Sequence, residues 1–374
     1  MILHITNNFD GSLVHRELVY SIGESLEKKA QIVFTSTYQP SKYDHLSDAK
    51  GERFYYIRKR LIKGLRFFPF IKLTLVFIQL ILSLKGLRKK VSVIIAHNLW
   101  SDGVVAYFYK LFTGTPYTVA IRNTDLNVIL KRLPHYRWLI RRVLFNAEVV
   151  VFISPAYKQK LQVKYPQIYR SINSFKIIPN GVNDYWSNNK MTYNKHRNLE
   201  VIYVGRIDDN KNLRNSFLAL NNLRNSGVPL TYRVIGGSDK ELLKFIGVST
   251  LPEWVVAEGV LKDRDLIKEY LRNARVFLMP SFTETFGLVY IEALSQGCCV
   301  VHSKEEGIDG FFNENYIRKV DPASITEIEE SVKELLFSFP QGVAPKNLMV
   351  SISGFTWEKA SASYLDILHK HLRS

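Results

Sequence analysis

Short apolar runs alternate with helix-patterned stretches along the whole chain. Such runs predict β-strands at residues 2–6, 31–35, 91–96, 117–121, 149–153, 200–204, 232–235, 254–258, 276–279 and 298–301. Strands that alternate with helices are typical of parallel sheets covered by helices. A polar stretch at 184–197 divides the runs into two series, and its composition predicts an interdomain linker. We therefore predict an α/β chain of two doubly wound, Rossmann-like domains that face each other across a cleft, with residues 1–184 in the first and 185–355 in the second.

Glycine and charged or polar residues follow four successive strands of the second series. Ligands of open parallel sheets bind at the carboxyl ends of the strands, so these positions predict a ligand site. The four strand ends carry Gly205, Arg206 and Lys211, then Gly236, Gly237 and Ser238, then Glu258 and Gly259, and finally Pro280 and Ser281. Arg206 can bind a diphosphate as a fork and Lys211 as a point charge.

The segment 281–301 reads SFTETFGLVYIEALSQGCCVV and predicts a helix that begins near Gly287. The unpaired amides and the positive dipole end of such a helix favour an anion, for example a diphosphate. Glu284 precedes the helix and Glu292 lies about a turn and a half inside it, so their carboxylates can face a sugar and a ribose on either side of the phosphates. The alternative is that Glu284 caps the helix and Glu292 is a solvated surface residue.

Charge is distributed unevenly along the 374 residues. The net charge of +17 lies entirely in residues 1–184, which contain 28 Lys and Arg but 11 Asp and Glu, whereas residues 185–374 contain 23 of each kind. Between Glu52 and Asp102 there is no acidic residue. Such a field selects an anionic partner.

The apolar residues between these charges favour a membrane surface over nucleic acid. Residues 67–84 form an apolar run that is broken by Lys72 and Gln79, too short for the roughly 20 residues that span a bilayer but suited to its interface. Residues 131–145 repeat the pattern, with Trp138 among arginines. The alternative is a core helix with a solvated basic face. Because no nucleic-acid-binding motif is present, we predict an acidic membrane surface and no nucleic acid as partner.

The two cysteines, Cys298 and Cys299, are adjacent in an apolar strand and offer neither a disulfide framework nor zinc spacing. This favours a reducing compartment. The first residues, MILHITNNF, predict a strand rather than a signal peptide. We expect a cytoplasmic protein that is peripheral at the inner face of the membrane.

Several motifs together resemble one enzyme family. They are IIPNGVN at 177–183, GR with Lys211, EGV from Glu258, PSFTETFGLVYIEALSQG from Pro280 and FTWEKASASYLDIL from Phe355. In this order they resemble the retaining GT-B glycosyltransferases, in particular the large family 4 group that uses nucleotide-sugar donors. The resemblance covers almost all of the second half. In the first half it depends on residues 8–12, the strand pattern and FISPAYKQKL from Phe152.

The resemblance implies roles for individual residues. Arg206 and Lys211 would neutralise the donor diphosphate, Glu284 would contact the donor sugar near the reacting carbon, and Glu292 would bind the ribose. These implied catalytic residues are Glu284, Arg206 and Lys211, and the implied donor-binding set is Gly11, Ser12, Arg122, Gly205, Arg206, Lys211, Glu258, Glu284, Phe286, Gly287, Leu288 and Glu292. Amides of residues 286–288 would hold the phosphates, Gly11 and Ser12 would close the cleft from the first domain, and the C-terminal helix in 356–374 would cross back onto that domain.

One loop departs from the family pattern. After the strand at 117–121 the family often has a His-Gly or similar pair, whereas this chain has Arg122 followed by Asn123, Thr124 and Asp125. Arg122 cannot act as a base. Two roles for Arg122 are equally open. It can contact the donor or an anionic acceptor, or it can be a structural residue that pairs with Asp125.

The predicted function is a retaining, metal-independent transfer of a hexose-type sugar from a UDP or GDP donor to a lipid-linked or oligosaccharide acceptor in cell-surface polysaccharide biosynthesis, with no cofactor. A covalent intermediate would need two carboxyl groups close to the anomeric carbon, and no clear pair is evident, so front-face attack is favoured. Asp208 and Asp209 lie in the phosphate turn and do not predict a metal site. The alternatives are a nucleotide-sugar epimerase of the same fold and a non-enzymatic peripheral membrane binder.

Overall fold

The computed structural model describes residues 1–7, 9–26, 30–38, 54–193 and 196–372. The chain forms two compact units. Unit 1 comprises Met1–Ile153, Tyr157–Gly181 and Trp357–Ser374, and unit 2 comprises Ser154–Ala156 and Val182–Thr356. Each unit is built on one parallel sheet, so the predicted α/β class with two Rossmann-like domains is confirmed.

Unit 1 contains a seven-stranded sheet in the order β3-β2-β1-β4-β5-β6-β7, with all pairs parallel. Its strands are β1 (Ile2–Ile5), β2 (Gln31–Thr37), β3 (Phe54–Arg60), β4 (Val93–Ala96), β5 (Tyr117–Ile121), β6 (Val149–Phe152) and β7 (Phe175–Ile177). The helices in and beside it are α1 (Leu13–Ser25), α2 (Pro69–Ser83), α3 (Val104–Thr113), α4 (Leu130–Arg132), α5 (Arg137–Asn146), α6 (Pro155–Lys164), α7 (Pro166–Tyr169) and α15 (Trp357–Leu372).

Alternate strand residues of unit 1 enter two different apolar cores, because successive side chains of a strand point to opposite faces of the sheet. Leu3 and Ile5 pack with residues of α2, α3 and α5. Ile2 packs with residues of α1 and α15 instead. The last helix therefore lies on the same face of this sheet as the first, where Ser21 of α1 donates a hydrogen bond to Ser361 at 3.0 Å.

Unit 2 contains a six-stranded parallel sheet in the order β10-β9-β8-β11-β12-β13. Its strands are β8 (Glu200–Val204), β9 (Thr231–Ile235), β10 (Val255–Gly259), β11 (Val276–Met279), β12 (Cys299–Ser303) and β13 (Ile317–Val320). Its helices are α8 (Asp184–Asn188), α9 (Leu213–Asn225), α10 (Asp239–Ile246), α11 (Arg264–Asn273), α12 (Leu288–Ser295), α13 (Ile325–Ser338) and α14 (Pro345–Ile352).

All ten predicted strands are present, but the pattern of apolar runs missed β3, β7 and β13. Each of these is an edge strand of its sheet. An edge strand has solvent on one side, so it does not need a continuous apolar run. Accordingly, β3 has the basic sequence FYYIRKR, and all three residues of β7 are exposed, so neither strand forms an apolar run.

The stretch 184–197, predicted as an interdomain linker, belongs to unit 2. It contains α8, whose Trp186 is buried, and it ends at Arg197, which has no exposed surface. The Arg197 guanidinium donates hydrogen bonds to the carbonyls of Leu271 (2.9 Å) and Ala274 (2.6 Å), among others. Polar composition therefore concealed a buried arginine that holds this stretch in unit 2.

None of the helices in the described ranges combines the length and the apolar character that crossing a bilayer requires. Both cysteines are free and buried, and burial raises the pKa of the Cys298 thiol to about 12.

Candidate functional site

The strand order of unit 2 reverses between β8 and β11. From β8 the chain continues to β9 on one side of the sheet, while β11 lies on the other side and continues to β12. A crevice opens at such a reversal because the two loops leave the sheet in opposite directions. The loops at 205–212 and 280–287 follow these two strands, so the sheet places the most polar predicted motifs next to each other.

Asn210 joins these two loops. Its side-chain amide donates to the Thr283 carbonyl at 2.7 Å, and its side-chain oxygen accepts from the Thr283 backbone N–H at 3.0 Å. The backbone N–H of Phe282 donates to the Asn210 carbonyl at 2.8 Å. The Thr283 hydroxyl also donates to the Asn210 side-chain oxygen at 2.7 Å, so these hydrogen bonds fix the loops to each other independently of any ligand.

Asn212 anchors the other side of the same turn. It adopts a left-handed backbone conformation (φ 57°), which asparagine tolerates better than most residues. Its side-chain amide donates to the carbonyls of Pro280 (3.0 Å) and Pro322 (2.6 Å). Lys211 is thus held between two anchored asparagines. The sequence prediction missed both, although an asparagine pair beside a strand-end lysine is a recognisable turn signal.

Two of the predicted catalytic residues are in contact. The Lys211 ammonium lies 2.5 Å from a carboxylate oxygen of Glu284, and both side chains are mostly buried. Arg206 lies at the start of the same loop, where its side chain is exposed and its carbonyl accepts a hydrogen bond from the Tyr203 hydroxyl. One cation therefore has an internal partner, whereas the other faces solvent.

Glu284 is positioned by its own backbone and by Glu306. The Glu284 N–H donates to a Glu306 carboxylate oxygen at 3.0 Å, and the Gly307 N–H donates to the Glu284 carbonyl at 3.0 Å. The second carboxylate oxygen of Glu284 accepts from the Thr285 N–H at 3.0 Å. Glu306 is buried and was absent from the sequence prediction. Its only sequence signal was an acidic pair after β12.

Helix α12 begins at Leu288, immediately after Gly287, which confirms the predicted start. Gly287 is left-handed (φ 77°), and a Cβ atom there would lie 2.3 Å from the Tyr290 ring. The Phe286 side chain is buried against the rings of Phe311 and Phe355. The amides of residues 286–288 donate no hydrogen bond within the described part of the chain, and the first amides of a helix have no partner inside the helix. They remain available to an anion.

Glu292 is half-buried on α12, and burial raises the pKa of its carboxyl group to about 7 although the nearby Arg264 lowers it. The half-buried position of Glu292 does not favour the alternative of a solvated surface residue. A partly buried carboxylate needs hydrogen-bond donors to stabilise its charge, and the hydroxyl groups of a ribose would provide them.

Glu258 already has partners at the end of β10. Its carboxylate forms an ion pair with Arg233 and accepts a hydrogen bond from the Tyr270 hydroxyl at 3.1 Å. Arg233 also binds Glu200 through two contacts of 2.9 Å. Gly205 donates its N–H to the Ile235 carbonyl at 2.9 Å. The structure therefore brings Glu284, Lys211 and the α12 amides together, while Glu258 belongs to a separate polar network.

The predicted residues of unit 1 lie in two places. Ser12 caps α1, since its hydroxyl accepts from the His15 N–H at 3.3 Å, and Gly11 is exposed in the preceding turn. Arg122 follows β5 and is buried. Asn8, part of the first-loop resemblance, is outside the described residues.

Asp125 binds the backbone around Arg122. Its carboxylate accepts from the N–H groups of Arg122 (2.9 Å), Leu99 (3.2 Å) and Trp100 (3.1 Å). The Arg122 side chain donates instead to the His97 carbonyl at 2.8 Å, and burial lowers its pKa. These contacts favour the structural role for Arg122. Asp125 is paired with the backbone N–H of Arg122 rather than with the Arg122 guanidinium.

The sequence prediction missed a buried polar cluster beside Arg122. His4 Nε2 donates to the Gln31 side-chain oxygen at 2.6 Å, so His4 Nδ1 accepts from His97 Nε2 at 3.1 Å. Burial lowers the pKa of His4 to about 4 and that of His97 well below its usual range. Asp102 is also fully buried, which raises its pKa to about 7. Polar residues inside an apolar strand pattern, such as His4, were the available signal.

Residues 187–338 match the family model of the glycosyl transferases group 1. The chain is 31% identical to the amylovoran biosynthesis glycosyltransferase AmsK of Erwinia amylovora over 128 aligned residues. The aligned segment covers 32% of this chain and 31% of that protein. It is 23% identical to the putative teichuronic acid biosynthesis glycosyltransferase TuaC of Bacillus subtilis, over 63% of this chain and 59% of the relative. The chain thus spans less than two thirds of the length of either relative. With the alpha-monoglucosyldiacylglycerol synthase of Acholeplasma laidlawii it shares 25% identity over 94% of this chain and 93% of the relative.

Solved structures share the architecture. A sucrose-phosphate synthase from Thermosynechococcus elongatus has a TM-score of 0.72 at 17% identity, over 100% of this chain and 99% of that chain. The trehalose-6-phosphate synthase OtsA has a TM-score of 0.71 at 12% identity, over 99% of both chains. At these identities the likeness shows the fold alone. The match makes residues 187–338 similar to the group 1 glycosyl transferases, and the two parallel sheets agree with the GT-B architecture of the solved structures.

Proposed function

We propose that this protein transfers a hexose-type sugar, with retention and without a metal ion, from a UDP- or GDP-sugar to a lipid-linked or oligosaccharide acceptor in cell-surface glycan synthesis. The observation that carries the proposal is the Lys211–Glu284 ion pair beside the amides of residues 286–288, which donate no hydrogen bond to any residue that the structure describes. Relatives named for amylovoran, teichuronic acid and glycolipid synthesis support the assignment.

The donor diphosphate would compete with Glu284 for Lys211. The diphosphate carries two negative charges and the carboxylate one, and its oxygens would also accept from Arg206 and from the α12 amides. Lys211 would then turn toward the phosphate and release the Glu284 carboxylate to accept hydroxyl groups of the sugar. As the glycosidic bond lengthens, negative charge grows on the leaving diphosphate, and these same donors stabilise it.

Retention by front-face attack fits the surroundings of Glu284. A covalent intermediate needs a free carboxylate as nucleophile and a second carboxyl group as acid and base. One oxygen of Glu284 accepts from the Thr285 amide, and the other would accept sugar hydroxyl groups once Lys211 has turned to the phosphate, which weakens the carboxylate as a nucleophile. The acceptor hydroxyl would therefore attack on the face from which the diphosphate departs and transfer its proton to the departing oxygen.

Helix α2 supports a peripheral location at the cytoplasmic face of an acidic membrane. It buries Leu73, Val76 and Leu80, while its other side exposes large apolar residues, which include Ile71 and Leu82. A core helix with a solvated basic face explains the buried stripe only. The exposed apolar side, flanked by basic residues, has the character of a segment that lies in the bilayer interface.

The test is a donor-panel assay with the variants K211M and E284Q, and with K240M as control because Lys240 is an exposed lysine on α10. We expect K211M, which removes a charge-stabilising donor, to lose sugar transfer by at least about 100-fold, E284Q, which removes the carboxylate that accepts the sugar hydroxyl groups, to lose it as well, and the control to keep it. Transfer at the wild-type rate by K211M would refute the site.

Two further measurements separate the alternatives. An epimerase would convert the donor sugar without any acceptor, whereas a transferase needs membrane extract or oligosaccharide. A non-enzymatic binder would show no heat of nucleotide binding in calorimetry. We expect no conversion of the donor alone, clear binding of UDP or GDP, and transfer that is unchanged by EDTA.

A further inference from the structure

A cavity of about 490 Å³ opens on the surface of unit 1, and none of its lining residues is among those assigned to the donor. It is lined by Trp138, Arg141, Arg142, Phe145 and Ser171. Trp138 and Phe145 are 62% and 58% exposed, which is unusual for aromatic side chains of this size. Two exposed rings and two guanidinium groups in one cavity suit a ligand that is both anionic and apolar.

The arginines of the cavity have few internal partners. Arg141 donates one hydrogen bond, to the buried Ser171 hydroxyl at 3.3 Å. Neither Arg141 nor Arg142 forms an ion pair with any residue that the structure describes. Helix α5 itself contains no acidic residue. Two adjacent arginines without counter-charge attract an anion, and their planar forks match the oxygens of a phosphate.

The cavity belongs to a larger surface. Helix α3 packs between α2 and α5, and none of the three contains an acidic residue. Leu111 and Phe112 near the end of α3 are 63% and 58% exposed. Arg88 lies over the Phe112 ring at 5.5 Å, and Phe77 of α2 meets that ring edge-on at 6.3 Å. Apolar side chains with basic neighbours are therefore exposed on all three helices of one layer.

We propose that the cavity binds the phosphate headgroup of an anionic phospholipid. Arg141 and Arg142 donate to the phosphate oxygens, while Trp138 and Phe145 lie at the boundary between headgroups and acyl chains, where aromatic residues are favoured. The proposal deepens the membrane location given above but does not depend on sugar transfer. A free phosphate would use the arginines and leave both rings in water, so the exposed rings favour a lipid.

The experiment measures flotation of the whole chain with phosphatidylcholine vesicles that contain or lack phosphatidylglycerol. The variant R141Q/R142Q is compared with K240Q/K244Q, which removes the same charge from exposed lysines of α10 in unit 2. Each basic residue near an anionic surface contributes roughly a factor of five, so we expect about a 25-fold weaker affinity of R141Q/R142Q for anionic vesicles and an unchanged control.

A second variant separates a phosphate site from general charge. R141K/R142K keeps both charges but removes the forks, and we expect it to bind anionic vesicles several-fold more weakly than the wild type. Equal binding by R141K/R142K and wild type, or an equal loss in the α10 control, overturns the proposal. R142Q alone retains the Arg141–Ser171 hydrogen bond and serves if R141Q/R142Q does not fold.

Two further measurements use inorganic phosphate as a competitor and UDP as a ligand. We expect inorganic phosphate to displace the chain from vesicles only at concentrations that screen charge in general. Saturable binding of inorganic phosphate that depends on Arg141, without vesicle binding, would assign the site to a free anion and overturn the lipid proposal. Calorimetry with UDP in parallel reports on unit 2, so a failure of the proposed sugar transfer can be distinguished from a failure of this site.

Discussion

Replacement of Glu292 by glutamine tests the environment of the proposed ribose ligand. Burial raises the pKa of the Glu292 carboxyl group from 4.5 to about 7. In the unfolded chain the group ionises near its ordinary pKa, so between pH 4.5 and 7 the unfolded chain has lost a proton that the folded chain retains. The free energy of unfolding of the wild type therefore falls as the pH rises through this range and is constant above it.

The magnitude follows from the shift. The rise of the Glu292 pKa from 4.5 to about 7 corresponds to about 3 kcal/mol at pH 8. E292Q has no charge to bury, so we expect it to match the wild type near pH 4 and to be more stable by up to about 3 kcal/mol at pH 8. Urea unfolding at both pH values measures the difference. E253Q serves as control, since Glu253 is exposed.

The same substitution should act in the opposite direction on ligand binding. An ionised Glu292 can accept hydrogen bonds from two hydroxyl groups, so the affinity of the wild type for UDP or GDP should rise between pH 6 and 8, while E292Q should bind weakly at both. Should E292Q lower the stability equally at pH 4 and pH 8, Glu292 would be a structural hydrogen-bonding residue and the reasoning from burial would be wrong.

Three further substitutions test the supports of the site. G287A should lower the thermal unfolding temperature by several degrees, because alanine is strained at a positive φ, and a Cβ atom would collide with the Tyr290 ring; an unchanged temperature in calorimetry would contradict this. N210A removes the hydrogen bonds between the Asn210 side chain and Thr283, so we expect KM for the donor to rise about tenfold with kcat little changed; a fall in kcat alone in steady-state kinetics would refute this. R197M leaves several buried carbonyls without donors and should destabilise the chain by about 4 kcal/mol, measured as loss of soluble protein or as urea unfolding, whereas R197K should recover only part of it.

Local pattern was sufficient for the elements that are buried. The central strands are continuous apolar runs because helices cover both faces of their sheets, and such runs are visible without any knowledge of neighbours. The start of α12 was also predictable, since Gly287 interrupts the pattern where a left-handed residue is required. The charged residues at the strand ends of unit 2 were found because parallel sheets place their ligands there.

Tertiary structure decided which of these residues meet. Lys211 and Glu284 are 73 positions apart and come into contact because β8 pairs with β11, a neighbour that no local pattern specifies. The same pairing gives Asn210 its partner Thr283, whereas Glu258, equally polar and at an equally suitable strand end, is bound by Arg233. Burial also depends on residues that are distant in the chain. It places Arg197, at the end of a polar stretch, inside unit 2, where it anchors that stretch. The sequence by itself determined the fold class and the kinds of residue at the site, because these follow from local periodicity and side-chain chemistry. Contacts, burial and pKa values were decided only by the tertiary structure, since they are set by residues that are distant in the chain.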